Sequence, residues 1–276
     1  MQIRDYSLPA GWFPRDCASV SAFLAGYKAG GSKCHAAISP HAGWYYSGRT
    51  AAVGAASLNT DAQTVIVLGG HLPAGFQPLF AMEDAVKTPF GSLIIDSEFR
   101  SLLKNELNGA EDRRCDNTVE VLLPMVHYFF PDAKLIWLRL PAEIKSFESG
   151  KIIGQIAAEL KRRVNVLASS DLTHYGSNYG FSPHGTGKAA LKWVREVNDA
   201  AFIKAVESGE SCEVLRCAQN DLSSCSAGAV LGAMGFAEEL GLGSARLLEY
   251  ATSADIKKNG EVPGSFVGYA AIAWNT

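Results

Sequence analysis

The sequence predicts an α/β fold: a single domain with a central, mostly parallel or mixed sheet flanked by helices. Three observations predict it. Several short apolar runs lack polar/apolar alternation, as strands covered on both faces do. Helix-like stretches separate them, and alternating strand and helix build a sheet between helical layers. No internal repeat, low-complexity segment or Pro/Ser-rich break interrupts the 276 residues, so residues 1–276 read as one domain.

The elements follow in order. Cys34–Ser39 (CHAAIS) is the first buried strand, and the Ala-rich Ser47–Leu58 is a helix. Thr64–Leu68 (TVIVL) is a second strand. Phe80–Met82 and Ser92–Ile95 read as a hairpin-like excursion around the turn Thr88-Pro89-Phe90-Gly91. Ser97–Leu107 carries charges at helical spacing, and Val119–Phe129 is a further helix. Lys134–Leu138 (KLIWL) and Val164–Ser169 (VNVLAS) are strands separated by the helix Ser146–Arg163. Thr186–Ser208 and Ser226–Leu240 are helical, and Gly241 suits the position just past a helix end. Ala245–Tyr250 and Ser265–Trp274 complete the strands.

Composition narrows the function. Apolar residues are 47% and charged residues 19%, which suits a folded chain rather than a disordered one. Lys plus Arg is 25 against 28 Asp plus Glu, a net charge of −3 that offers no electrostatic case for nucleic acid or an anionic membrane. The longest uncharged small-apolar stretch, Cys225–Ala237, is shorter than the ~20 residues a bilayer needs and is interrupted by Gly228, Gly232 and Gly235. Met1-Gln2-Ile3-Arg4-Asp5 has no apolar signal core, so export is not expected. None of the six cysteines forms a C-x-x-C pair. They read as free thiols in a reducing, cytoplasmic compartment, at least four of them packing as small hydrophobes.

Three strands run into residues able to bind metal. CHAAIS leads to Pro40-His41-Ala42-Gly43, TVIVL to Gly69-Gly70-His71, and VNVLAS to Ser170-Asp171-Leu172-Thr173-His174. In an open α/β sheet the crevice beyond the strand carboxyl ends is the usual ligand site, so parallel neighbours would bring His41, His71, Asp171 and His174 together. A lone histidine beside glycine is more often a hydrogen-bonded loop residue; the shared placement favours function. Of the other histidines, His35 and His127 read as structural, and His184 as exposed or at a pocket mouth. Cys225 precedes a helix of small residues, where dipole and free amides favour a thiolate. A buried cysteine packed on a Gly/Ala helix fits the same local sequence. Glu120, flanked by Val121, Leu122 and Leu123, needs either a partner or a function, or is one solvated helix position. No G-x-G-x-x-G, P-loop, H-E-x-x-H or G-x-S-x-G pattern occurs, so no nucleotide cofactor is expected.

Taken in order, these segments resemble the Memo family, whose bacterial and archaeal members are called AmmeMemoRadiSam system protein B. The likeness rests on Pro9-Ala10-Gly11-Trp12-Phe13-Pro14, Pro40-His41-Ala42-Gly43, Gly69-Gly70-His71, Thr88-Pro89-Phe90-Gly91, Ser169-Ser170-Asp171-Leu172-Thr173-His174-Tyr175-Gly176, Cys225, Tyr250-Ala251-Thr252-Ser253 and Val267-Gly268-Tyr269. The family is similar in fold to the LigB-like class III extradiol dioxygenases. The resemblance implies His41, His71 and Cys225 as metal ligands, with iron or copper as the ion and zinc as a third option. It implies His174 as acid/base, Asp171 and Glu120 as pocket carboxylates, and Tyr45, Tyr175, Tyr250 and Ser226 as pocket lining. Cys225 is also counted among the catalytic residues. AMMECR-type and radical-SAM proteins are the implied partners. Asp116-Asn117-Thr118 stands where the family has E-H-S, and Leu122 stands where some members have a second histidine. Three functions follow as expectations: a metal-dependent, dioxygenase-like oxidoreductase on a small organic substrate; a non-catalytic metal- or ligand-binding protein; or a metal-free hydrolase or transferase using Cys225 with His174 as base.

Overall fold

A computed structural model describes residues 1–28, 34–256 and 261–275. Its strands are β1 (Ile3–Arg4), β2 (Ala36–Ser39), β3 (Thr64–Leu72), β4 (Leu79–Phe80), β5 (Ala85–Thr88), β6 (Gly91–Ile94), β7 (Ala110–Glu111), β8 (Lys134–Pro141), β9 (Val164–Ser169), β10 (His174–Gly176), β11 (Ala245–Thr252) and β12 (Ser265–Trp274). The helices are α1 (Cys17–Leu24), α2 (Trp44–Ala56), α3 (Ser97–Glu106), α4 (Asn117–Glu120), α5 (Leu123–Phe129), α6 (Lys145–Glu159), α7 (Lys188–Trp193), α8 (Asp199–Glu207), α9 (Ser211–Asn220) and α10 (Ala227–Glu239).

Nine strands form one mixed sheet in the order β10-β12-β2-β9-β3-β8-β4-β7, with β11 on β12. The β2–β9, β9–β3 and β3–β8 pairs are parallel, whereas β12 runs antiparallel to β2, β10 and β11. Alternate residues of each central strand enter opposite cores. Ile66, Leu68, Ile136 and Leu138 pack beneath α3, α6 and α10, while Val65, Val67, Leu135 and Trp137 pack beneath α2 and α5. Burial on both faces removes any need for polar residues at alternate positions. The small-residue helix α10 lies backbone to backbone on α6. A Cβ at Gly235 would sit 1.9 Å from the Phe147 carbonyl oxygen, and one at Gly150 would sit 2.0 Å from that of Gly232.

Several expected bounds shift for identifiable reasons. The strand predicted from Cys34 begins at Ala36, because Cys34 makes only an isolated bridge to Leu58. The hairpin forms between Ala85–Thr88 and Gly91–Ile94, while Leu79–Phe80 joins the main sheet. The helix expected over Val119–Phe129 is split into α4 and α5, and Pro124 lies at the start of the second piece, where its missing N–H costs nothing. The helix expected to reach Arg163 ends at Glu159, followed by left-handed Lys161. The helix expected over Thr186–Ser208 contains a π-helical turn at Val194–Asn198. No disulfide joins any of the six cysteines, as expected, but Cys17, Cys115 and Cys212 are exposed rather than packed; their helix and loop positions face outward.

Candidate metal centre

Because β2, β9 and β3 are adjacent and parallel, their carboxyl ends open onto one crevice. His41 follows β2 directly and is buried. One carboxylate oxygen of Asp171, beyond β9, accepts the His41 N–H at 2.7 Å and the Ala42 N–H at 3.2 Å. The Asn117 amide donates to the His41 carbonyl at 3.0 Å. The His41 ring is fixed by a 2.8 Å hydrogen bond between Nδ1 and Ser169 Oγ.

His71 sits within β3, at a break in its register with β8. Its φ of 55° is unusual for a residue with a side chain. Gly70 before it admits the approach of α10's leading residue: a Cβ there would lie 2.4 Å from that of Ser226. Nδ1 of His71 donates to Asp116 at 3.1 Å. Asp116 also accepts from Thr118 and pairs with buried Arg139 at 3.2 Å. Arg139 in turn pairs with Asp112 at 3.3 Å and donates to the Gly70 carbonyl at 3.0 Å.

Cys225 closes the group from the third side. Its N–H donates to the Asp171 carbonyl at 3.3 Å, and Sγ lies 3.3 Å from His41 Nε2 and 3.6 Å from Ser226 Oγ. The two imidazole rings are perpendicular, 5.0 Å apart. One ligand atom each from His41, His71 and Cys225 lies within 4.8 Å of the other two. Both rings use Nδ1 for a protein partner and leave Nε2, the arrangement that orients metal-binding histidines elsewhere. The set therefore fits a metal ion.

Electrostatics support the thiolate. Burial would raise the Cys225 thiol, but the charge and hydrogen bond of His41, with help from His71, bring it down to about 6. Burial would lower His71, yet its bonds to Asp116 and Cys225 push it up to about 10. Burial likewise opposes Asp116, but His71, Thr118 and Arg139 hold its carboxyl at about 2. Asp171 is pushed up by burial, against the pull of His174 and of the His41 and Ala42 amides.

The other expected site residues divide. His174 lines the crevice beside Asp171. Its Nδ1–H donates to the Leu172 carbonyl at 3.1 Å, and its ring meets Tyr179 edge-on at 4.9 Å. Ser226 is buried beside the thiol. Glu120 stands apart: its carboxylate accepts the N–H groups of Ser7 at 2.9 Å and Leu8 at 3.1 Å and anchors the N-terminal segment. Tyr45 points outward and packs on Tyr46, which takes its place in the crevice wall. Tyr175 is buried against Phe266, its hydroxyl donating to the Gly185 carbonyl and accepting the His184 N–H. The Tyr250 hydroxyl donates to buried Asp199 at 2.7 Å, behind the crevice. Residue-by-residue reading missed Asp116, Ser169, Trp12, Tyr179 and Tyr269. Asp116, Trp12, Ser169 and Tyr269 lie inside motifs it did single out, and Tyr179 does not. His35 and His127 pair with Asn165 and Thr88, and exposed His184 packs on Trp193. Leu122 is in the core, whereas Asn117 reaches the crevice.

Fold and site define an α/β protein whose His/His/Cys cluster, at the carboxyl ends of parallel strands, could hold a metal ion. The chain belongs to the Memo family: the family model, described as Memo-like protein, matches residues 4–273. It is similar to "MEMO1 family protein" of Pyrobaculum arsenaticum, at 29% identity over 89% of this chain and 85% of that one. The Methanosarcina acetivorans protein of that name is 27% identical over 99% of both chains, and that of Methanococcoides burtonii 30% over 86% and 84%. Among solved structures, uncharacterized protein JW3007 from Escherichia coli K12 superposes with a TM-score of 0.52 at 12% identity. The match covers 87% of this chain and 99% of that one, and shows a shared fold. Among the described residues no helix is long and apolar enough to cross a membrane.

Proposed function

We propose that this protein is a metal-dependent oxidoreductase acting on a small organic substrate, with iron or copper as the ion and zinc as the alternative. The observation that carries the reading is the meeting of two oriented imidazoles and one low-pKa thiol from distant parts of the chain. A thiolate with two imidazoles suits iron, copper or zinc better than magnesium or calcium. When bound, such an ion supplies Lewis-acid or redox chemistry with coordination positions left open for substrate.

The chain's own groups supply the rest. The Leu172 carbonyl holds the His174 Nδ1–H, so Nε2 is the nitrogen left to take a substrate proton in the crevice. Asp171 fixes the loop of His41 with its side chain and the loop of Cys225 with its carbonyl. Wild-type protein and His41→Ala, purified anaerobically, test the reading by metal content and by oxygen uptake with a panel of catechols. Stoichiometric iron or copper that disappears in the variant, with uptake in the wild type alone, is expected. A protein that takes up no transition metal under these conditions would sink it.

A second reading has its own observation. Sγ of Cys225 lies 3.3 Å from an imidazole nitrogen and close to the start of α10, which would suit a metal-free cysteine nucleophile. Activity that survives chelation but not alkylation of Cys225 would favour it.

A further inference from the structure

His174 lines the crevice without belonging to the metal cluster, and its orientation traces back to a residue outside the crevice. Its Nδ1 lies 3.1 Å from the Leu172 carbonyl oxygen. A carbonyl only accepts, so Nδ1 carries the ring proton and Nε2 is left without it. Asp171, in the same crevice, gives its side chain to the His41 and Ala42 N–H groups instead.

The Leu172 carbonyl is one end of a peptide unit whose other end is held from behind. The N–H of that trans unit belongs to Thr173 and donates to Asp199 at 3.1 Å. Asp199 Oδ1, the peptide and the imidazole Nδ1 therefore stand in series. In a planar trans unit the N–H and C=O point in opposite directions, so fixing one aims the other. Hydrogen bonds in such a chain also polarise one another.

Asp199 is built into its place. It is fully buried; the Thr173 hydroxyl donates to the same oxygen, and the Tyr250 hydroxyl donates to the other at 2.7 Å. Gly268 of β12 backs onto it, since a Cβ there would sit 2.0 Å from Asp199 Oδ2. The Gly268 backbone accepts the Leu172 N–H at 2.8 Å and donates to the Thr173 carbonyl at 3.0 Å, which closes the turn. Among the described residues the hydrogen-bond partners of this carboxyl are the neutral Thr173 and Tyr250. A buried carboxyl without a cation costs stability, and packing alone is served as well by an apolar side chain.

We propose that Asp199 is a positioning residue for His174, acting through the Leu172–Thr173 peptide: it holds the N–H end, so that the carbonyl end keeps the Nδ1 proton and leaves Nε2 unprotonated. Charged or protonated, the carboxyl retains an acceptor oxygen for that N–H, so the role does not turn on its charge. The inference rests on His174 serving as the acid/base of the proposed function, but its test needs neither metal nor turnover.

Two-bond proton–nitrogen NMR spectra of the metal-free, full-length, nitrogen-15-labelled protein read the tautomer of each ring at about pH 9, above the ordinary imidazole range. The His174 signals are assigned by their loss in His174→Gln. The Nδ1–H form is expected to dominate in the wild type. Asp199→Ala should shift the ratio roughly fivefold toward Nε2–H, the effect of one lost hydrogen bond. Asp199→Asn, which retains an acceptor, should restore the wild-type ratio. Should Asp199→Ala fail to fold, Thr173→Val decides: it removes the hydroxyl that orients the carboxyl and should shift the ratio the same way. The rings of His35 and His127, bonded to Asn165 and Thr88, are internal controls and should not change. An Nε2–H majority in the wild type would overturn the proposal. So would an unchanged ratio in Asp199→Ala or, where that variant is unfolded, in Thr173→Val. A preference lost equally in Asp199→Asn, or His35 and His127 moving together with His174, would overturn it as well. Protein that takes up no transition metal, yet shows the expected tautomers, sinks only the metal centre; metal uptake with unchanged tautomers sinks only this proposal.

Discussion

Asp116 shows how much of the site depends on single polar contacts. It is the acceptor that fixes the His71 ring, and Arg139 and Thr118 fix it in turn. Removing such an outer partner commonly weakens metal binding about 10–100-fold. Asp116→Ala should therefore lose about that factor in cobalt(II) affinity while its urea midpoint changes far less; equal affinity in variant and wild type would refute the orienting role. His41, His71, Asp171 and His174 were legible in the sequence because each lies a few residues beyond the carboxyl end of an uninterrupted apolar run. The tyrosines were not: sequence order does not say whether Tyr45 or its neighbour Tyr46 turns inward. Glu120 was legible as an acid in need of partners, but those partners lie more than a hundred residues earlier, where no local pattern reveals them.

At the scale of elements, the π-helical turn between α7 and α8 gathers the loops. The Asn198 amide donates to Thr173 Oγ1 and to the Asp221 carbonyl, both at 2.9 Å, tying the approach to His174 to the approach to Cys225. Next to it, Asp199 accepts from the Thr173 N–H at 3.1 Å and from the Tyr250 hydroxyl. Burial, only partly offset by those donors, pushes its carboxyl from 3.8 up to about 6. A raised carboxyl means that the folded state holds the proton more tightly than the unfolded chain. The resulting stabilisation is complete below about pH 4 and is lost as pH rises through about 6. Asp199→Asn lacks this term, so relative to wild type it should gain on the order of 3 kcal/mol between those limits. Urea unfolding at a series of pH values reads the difference, and parallel curves would contradict it. The helix was legible here but the extra turn was not, because a single added residue leaves almost no trace in hydrophobic spacing.

The contact of α6 with α10 makes a second prediction at this scale. Gly235→Ala places a methyl where the Phe147 carbonyl stands, so the helices must separate, at a cost of about 1–3 kcal/mol. A lowered urea midpoint with unchanged slope is expected; an unchanged midpoint would mean that the helices yield freely. The small-residue run was legible as a helix, but its backbone-to-backbone seat was not, since small residues suit any crowded neighbour.

Over the whole molecule, Glu120 joins the start of the chain to its middle. Without its carboxylate the Ser7 and Leu8 N–H groups lose their acceptor, at about 1–3 kcal/mol for the buried Leu8 group. Glu120→Ala should speed amide exchange at Ser7 and Leu8 and leave the β3 and β9 amides protected; uniform loosening would show instead that the anchor supports the whole fold. The fold class was legible because continuous apolar strands between helices admit few arrangements. The order of strands was not, since β12 runs against its neighbours and pairs far back along the chain.

That strand has a consequence for biosynthesis. Among the described strands, β12 is the one that pairs with β10 and β11, and it is the antiparallel neighbour of β2, yet it follows all three in the chain. While the ribosome is still decoding the residues before Ser265, β10 and β11 have no ladder to join. The Leu172 amide beside His174 likewise awaits the Gly268 carbonyl. The nascent chain can assemble its β2-β9-β3-β8 centre early, but the wall of the crevice that bears Val267 and Tyr269 docks only after nearly all of the described chain has been translated.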